Sequence, residues 1–313
     1  MKQLRFICAQ PAIKYYAWQV EVMLNNFIEM GVNPNYVDIV VRKENGRIPN
    51  EWLKLANAYP ARFFFYNDTR VTTHYISSIR PNILKQHFLQ HPELRDDAIF
   101  YHDCDILFTK PISQWITEDI VTNDEWYGSD TRWYISHSYI KSKGDDVIKK
   151  MCEIMQMDEA QIEVNELKSI GAQYLMKNID ATFWDRVERD SEMLFKEVSE
   201  LNRIKKLADP THHELQIWCA DMWAVLWGAW RLGHKTNCHP NFEFSWGTSS
   251  EGDYDRMNIM HNAGVVSANE GHFYKVLYMN EYPYNLPIVV KEGTGSRKYW
   301  EYVEKTAKKS CLL

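Results

Sequence analysis

Two aspartates one residue apart, Asp103 and Asp105 in "IFYHDCDILFTKP" (99 to 111), are the clearest candidates for chemistry in this chain. The run from Ile99 to Phe108 otherwise reads as a buried strand, where an uncompensated charge is costly. Alternate residues of a strand point to the same face, so the two carboxylates would project together while Cys104 turns away. Carboxylates that close repel each other, and the nearest basic residue in sequence, Lys110, lies past the strand. A divalent cation relieves the repulsion. Oxygen ligands suit Mg2+ or Mn2+, which keep water and bridge to phosphates. The competing reading is a pair of solvated or helix-capping aspartates at a strand end.

The elements that must position this pair are legible around it. The chain has 313 residues, 45% of them hydrophobic, with 12 Trp, 18 Tyr and 13 Phe, which excludes a disordered chain and allows a sizeable core. Its net charge of -6 gives no global pull toward nucleic acid or an anionic membrane, although local basic clusters remain at 203 to 206 and 305 to 310. The six cysteines are scattered without a CxxC pair, as expected of reduced thiols in a cytosol. The first apolar run is too short for a signal peptide, and the longest, "CADMWAVLWGAW" (219 to 230), is too short to cross a bilayer. The expectation is a cytoplasmic protein with no membrane partner.

Strand-like runs at 4 to 9, 36 to 41, 61 to 68 and 99 to 108 alternate with helical patterns. That order argues for an α/β fold with a mostly parallel central sheet flanked by helices, and ligands in such sheets bind beyond the carboxyl ends of the strands. The turn after the first strand, "CAQPAIKYY", has no glycine, so neither GxGxxG nor a P-loop is present. Further on, a charged amphipathic helix is expected over 181 to 206, a buried helix over 213 to 232, and a short strand over 258 to 261. No repeat or linker divides the chain.

An Asp-x-Asp at the end of a strand, in a Rossmann-like half without glycine loops, resembles the GT-A glycosyltransferases. Four segments resemble one branch of them, the hydroxyproline O-arabinosyltransferases and peptidyl-serine α-galactosyltransferases: "YYAWQVEVM" (15 to 23), "HDCDILFTKPI" (102 to 112), "ADMWAVLWG" (220 to 228) and "IMHNAG" (259 to 264). The resemblance implies a single GT-A domain over 1–313. Residues 1–125 would form its nucleotide-sugar-binding half, and 126–313 its acceptor-side half and C-terminal tail.

It further implies that Asp103 and Asp105 bind the metal and the UDP-sugar, with His261 as the third metal ligand. Taken alone, a histidine beside Ile259 and Met260 reads more readily as a core residue. Asp221 has no acidic neighbour between Glu214 and Leu232. It is either a buried structural partner of Arg231 or His234, or a catalytic carboxylate beneath the sugar or acceptor. The related families carry Glu there. Arg80 could pair with a diphosphate or simply start a surface helix. Gln10 and Pro11 could touch the nucleotide, and Gly128, Asp130, Gly171 and Gln173 could line the donor sugar. Trp223, Trp227 and Trp230 are expected mostly in the core.

The implied reaction is metal-dependent transfer of an arabinose- or galactose-type sugar from UDP to an acceptor hydroxyl, with retention. With no entry signal expected, the acceptor would be a glycan, a protein or a hydroxymethylated DNA base in a bacterial or viral setting. Two alternatives are a phage-type DNA glycosyltransferase and a non-catalytic nucleotide-sugar-binding module. A nucleotidyltransferase would require a phosphate loop that is not seen.

Overall fold

The computed structural model describes residues 2–313. Ten strands follow in chain order: β1 Leu4–Pro11, β2 Val37–Arg42, β3 Arg62–Tyr66, β4 Ala98–Tyr101, β5 Ile106–Phe108, β6 Trp126–Asp130, β7 Ile170–Lys177, β8 Thr236–Cys238, β9 Phe244–Trp246 and β10 Ile259–His261. Helices Lys14–Glu29, Asn50–Ala58 and Ile79–Gln90 separate the first four, which is the alternation expected from the sequence. The fold is α/β, with a seven-stranded main sheet and a second sheet of three strands. No described helix is long and apolar enough to cross a membrane.

Contacts group the chain into two compact units. One comprises the stretch up to Asn67, Ile99–Asn123 and Pro240–Leu313; the other comprises Asp68–Ala98 and Asp124–His239. The chain leaves the first unit at Asp68 and returns to it at Ile99 and again at Pro240.

In the first unit the main-sheet order is β3-β2-β1-β4, and β1, β2 and β3 run parallel. β1 is buried from Arg5 to Gln10, the near-continuous run expected of a parallel strand covered on both faces. Helix Lys14–Glu29 buries its side from Ala17 to Phe27 and ends before Gly31, whose φ of +80° stops it. Phe27 stacks on Phe108 with centroids 4.3 Å apart, and Phe6 and Phe100 complete this aromatic core.

The expected single strand from Ile99 to Phe108 is corrected here. It is two strands, β4 and β5, with a turn over residues 102 to 105 between them. β5 belongs to the second sheet, in the order β5-β10-β9. The break is stabilised by His102, whose backbone N–H donates to the Ile7 carbonyl at 3.1 Å and whose Nδ1–H donates to the Asp103 carbonyl at 2.9 Å. Its ring packs against Phe6, Phe27 and Phe100. Burial lowers its pKa to about 4, so it is a neutral core side chain.

In the second unit the strand order is β7-β6-β8, with β6 antiparallel to β7 and parallel to β8. The β6–β7 register shifts between Gly128 and Ser129. A Cβ on Gly128 would lie 2.9 Å from the Gln173 carbonyl oxygen and from Ile170 Cβ, so only glycine fits the crowded side of this bulge. Helix Ala181–Ala208 is capped by Asp180, whose carboxylate accepts from the N–H groups of Thr182 and Phe183. Helix Ala220–Arg231 is shorter than the expected 213 to 232, because Ile217–Cys219 winds as a 3-10 turn before it.

Candidate active site

In the first unit, Asp103, Asp105 and His261 come together, each offering a ligand atom within 4.8 Å of the others. The turn between β4 and β5, not the face of one strand, carries both aspartates. β10 brings in the histidine: it pairs antiparallel to β5 with His261 opposite Ile106, and Asn262 N–H donates to the Asp105 carbonyl at 2.9 Å. His261 Nε2 lies 3.2 Å from Asp105 Oδ1 and 3.6 Å from Asp103 Oδ2. Its ring is held between Phe244 and Trp246.

A lysine completes the cluster. Lys275 Nζ donates to Asp105 Oδ2. Burial would raise the Asp105 pKa, but the charges of Lys275 and His261 outweigh it and hold the carboxyl well below the usual range. Tyr15 and Tyr299 face the same charge. Burial first, and then Asp105, push both phenols far above their ordinary value, so they stay protonated. Two carboxylates and an imidazole, with an ammonium already drawn to them, form a donor set suited to Mn2+ or Mg2+.

A second polar cluster lies within the second unit. Asp221, in the first turn of helix Ala220–Arg231, has a side chain only 16% exposed. The Tyr75 hydroxyl lies 2.7 Å from Asp221 Oδ1 and 2.5 Å from the Trp218 carbonyl, and its one proton serves either acceptor. Arg80 Nη1 is 3.9 Å from Asp221 Oδ2. Of the structural partners considered from the sequence, Arg231 is engaged by Asp190 at 3.0 Å, and His234 stacks on Trp126.

With the geometry in place, the similarities to solved structures can be read. The chain is similar to the bifunctional glycosyltransferase WbbM, with a TM-score of 0.52 and 10% identity over 99% of this chain. The fold is that of the GT-A glycosyltransferases. This chain spans about half of WbbM, 51% of its length. It also resembles, at lower similarity, the galactosyltransferase LgtC (TM-score 0.40, 10% identity, 96% of this chain and 95% of that one). Mouse xyloside xylosyltransferase 1 is comparable (TM-score 0.42, 11% identity, 84% of this chain and 99% of that one). No protein-family model matches the sequence, and no curated protein is similar to it in sequence.

On this GT-A scaffold the other candidates fall as follows. Gln10 and Pro11 end β1; Gln10 is buried and its Nε2 has no hydrogen-bond partner. Arg80, considered for a diphosphate, sits beside Asp221. Gly128 and Asp130 lie in β6, Gly171 and Gln173 in β7; the Asp130 carboxylate accepts from the Arg132 guanidinium at 2.9, 2.9 and 2.5 Å. Trp223, Trp227 and Trp230 are core residues. Lys275 and Tyr75 are the residues the sequence reading passed over. Lys275 lies 170 positions from its partner, and only the fold reveals the contact. Tyr75 stands five residues before Arg80, and that proximity to the arginine was a usable signal.

Proposed function

We propose that this chain is a metal-dependent glycosyltransferase that moves a sugar from a UDP-sugar to an acceptor hydroxyl. The observation that carries the reading is the Asp103–Asp105–His261 convergence, within a fold shared with glycosyltransferases. A manganese or magnesium ion held by these three residues supplies positive charge against the leaving diphosphate. Asp105, kept ionised by Lys275 and His261, is ready to bind a cation without first losing a proton. Gln10 offers a buried, unused amide N–H to the nucleotide.

Asp221 is the residue we assign to catalysis. Arg80 and the Tyr75 hydroxyl flank and orient its carboxylate, which in this reading meets sugar hydroxyls or positive charge developing at the anomeric carbon. An arabinose- or galactose-type donor and a retaining outcome are the finer parts of the proposal, supported by the motif resemblance alone. The test is incubation with manganese and a panel of nucleotide sugars, scored by mass spectrometry for hydrolysis and for transfer. Hydrolysis that depends on manganese and is lost in Asp105→Ala supports the reading. Nucleotide binding without turnover of any donor would leave a binding module in its place.

A further inference from the structure

Two tryptophans of the second unit are largely in solvent, Trp133 at 65% and Trp218 at 60% exposure. Single exposed apolar residues are ordinary, but exposed aromatic rings linked into a strip mark a surface that can take a ligand. These two are linked by a third ring: the Tyr134 centroid is 4.3 Å from that of Trp133 and 6.4 Å from that of Trp218, with only 15° between the planes of the latter pair. Tyr134 is itself buried, which fixes the middle of the strip. The strip adjoins the Asp221 cluster, because the Tyr75 hydroxyl contacts both the Trp218 carbonyl and Asp221. Trp218 also lines an open groove of about 570 Å³, whose lining includes the polar groups of Ser199, Lys206, His213, Glu214 and Gln216.

We propose that the exposed rings of Trp133 and Trp218, bridged by the buried Tyr134, are an acceptor platform, and that the acceptor is a glycan of more than one sugar unit. Its reacting unit would lie toward Asp221, with further units extending into the groove. The inference rests on the glycosyltransferase reading. A sugar ring has a flat C–H face that stacks on an aromatic ring and hydroxyls at its rim that need polar partners, which is the combination of surfaces found here. A nucleic acid also stacks on aromatic rings, but it requires a cationic track for its phosphates. The arginines beside this platform are already matched by carboxylates, Arg132 by Asp130 at 2.5 Å and Arg80 by Asp221 at 3.9 Å. The groove itself carries Lys206 and Glu214, one charge of each sign, and not a run of cations.

The test uses the full chain labelled with 5-fluorotryptophan, with the Trp133 and Trp218 fluorine resonances assigned through Trp→Phe variants. Maltohexaose, chitohexaose, xylohexaose and β-1,4-galactohexaose are titrated in turn. A twenty-nucleotide thymidine strand and a serine- and proline-rich peptide serve as rival probes. At least one hexasaccharide should shift both resonances saturably, and Trp218→Ala should weaken that binding by roughly 10-fold or more. Unchanged melting temperatures would show that the variant is folded. The proposal is overturned if no hexasaccharide shifts the resonances, if the thymidine strand or the peptide does so instead, or if Trp218→Ala binds undiminished. Manganese-dependent UDP binding on the same preparation separates the two ideas. UDP binding without glycan shifts removes the platform alone, and glycan shifts without UDP binding remove the transferase reading.

Discussion

Lys275 offers the sharpest test of the candidate metal site, because its removal should improve metal binding. Its ammonium is bonded to Asp105, the most buried carboxylate of the cluster, with side-chain exposures of 21% and 7%. A cation among Asp103, Asp105 and His261 shares the Asp105 carboxylate with the Lys275 ammonium, which holds Oδ2 while Oδ1 faces His261, and its like charge displaces that ammonium. The metal therefore binds against the loss of one charge-assisted hydrogen bond, about 1.5–3 kcal/mol. Lys275→Met keeps the length and apolar stem of the side chain and removes that competition. At 1.4 kcal/mol per factor of ten, manganese affinity should rise by roughly 10-fold to 100-fold. The metal-free variant should also be less stable, since Asp105 loses its strongest partner, and added manganese should restore stability beyond the parent's. Calorimetric titration with manganese alone reads the affinity, and thermal unfolding with and without EDTA reads the stability. Unchanged or weaker manganese binding in Lys275→Met, alongside lost binding in Asp105→Asn, would refute the competition.

Three further predictions address other parts of the molecule. His261→Ala should weaken manganese affinity by roughly 10-fold to 100-fold while leaving the melting temperature within a few degrees; a large stability loss with unchanged affinity would make it a core histidine. Asp221→Asn keeps the side-chain size but removes its charge, so UDP affinity with manganese should stay within a few-fold while transfer falls by roughly 100-fold or more; near-normal transfer would return Asp221 to a structural role. Asp38 is fully buried in β2 and binds Arg62 through two bonds of 2.6 and 2.5 Å, with Arg5 at 3.8 Å. Asp38→Asn should cost about 3 kcal/mol in urea unfolding, and a cost below ~1 kcal/mol would show that the arginines find other partners.

The sequence carried the first βαβαβαβ stretch well, because parallel strands buried on both faces read as apolar runs and the helices between them show their own period. The aspartate pair is legible in residue type and spacing, whereas His261 enters only through the family resemblance; the fold brings the three side chains together. The sequence failed where local pattern and tertiary pairing disagree. Ile99 to Phe108 is apolar enough to look like one strand, yet the two halves pair with different neighbours, and the site lies in the break between them. Asp221 looked isolated because its partners, Tyr75 and Arg80, come from 146 and 141 positions earlier in the chain. His102 is the converse: it shares the motif with the aspartates, yet it is a buried, neutral core residue.

The break in that strand has a chemical consequence. Within one continuous strand, Asp103 and Asp105 would share a face at fixed spacing, and any third ligand would have to approach from outside the sheet. In the turn, Asp105 is instead the residue that hands the chain to β5, so the pairing of β5 with β10 fixes its position relative to His261. A slip of one residue in that pairing would send His261 to the opposite face and leave two carboxylates facing one lysine. The pairing spans three residues on each strand, too few to be rigid alone, and it is extended at both ends by Thr109 N–H to the Asn258 carbonyl at 3.1 Å and Asn262 N–H to the Asp105 carbonyl at 2.9 Å. Asn26 anchors β5 from the helix side, accepting from Phe108 N–H at 2.7 Å and donating to its carbonyl at 2.9 Å. The geometry of the three candidate metal ligands is therefore set by backbone hydrogen bonds and one buried amide, none of which involves the Asp105 carboxylate.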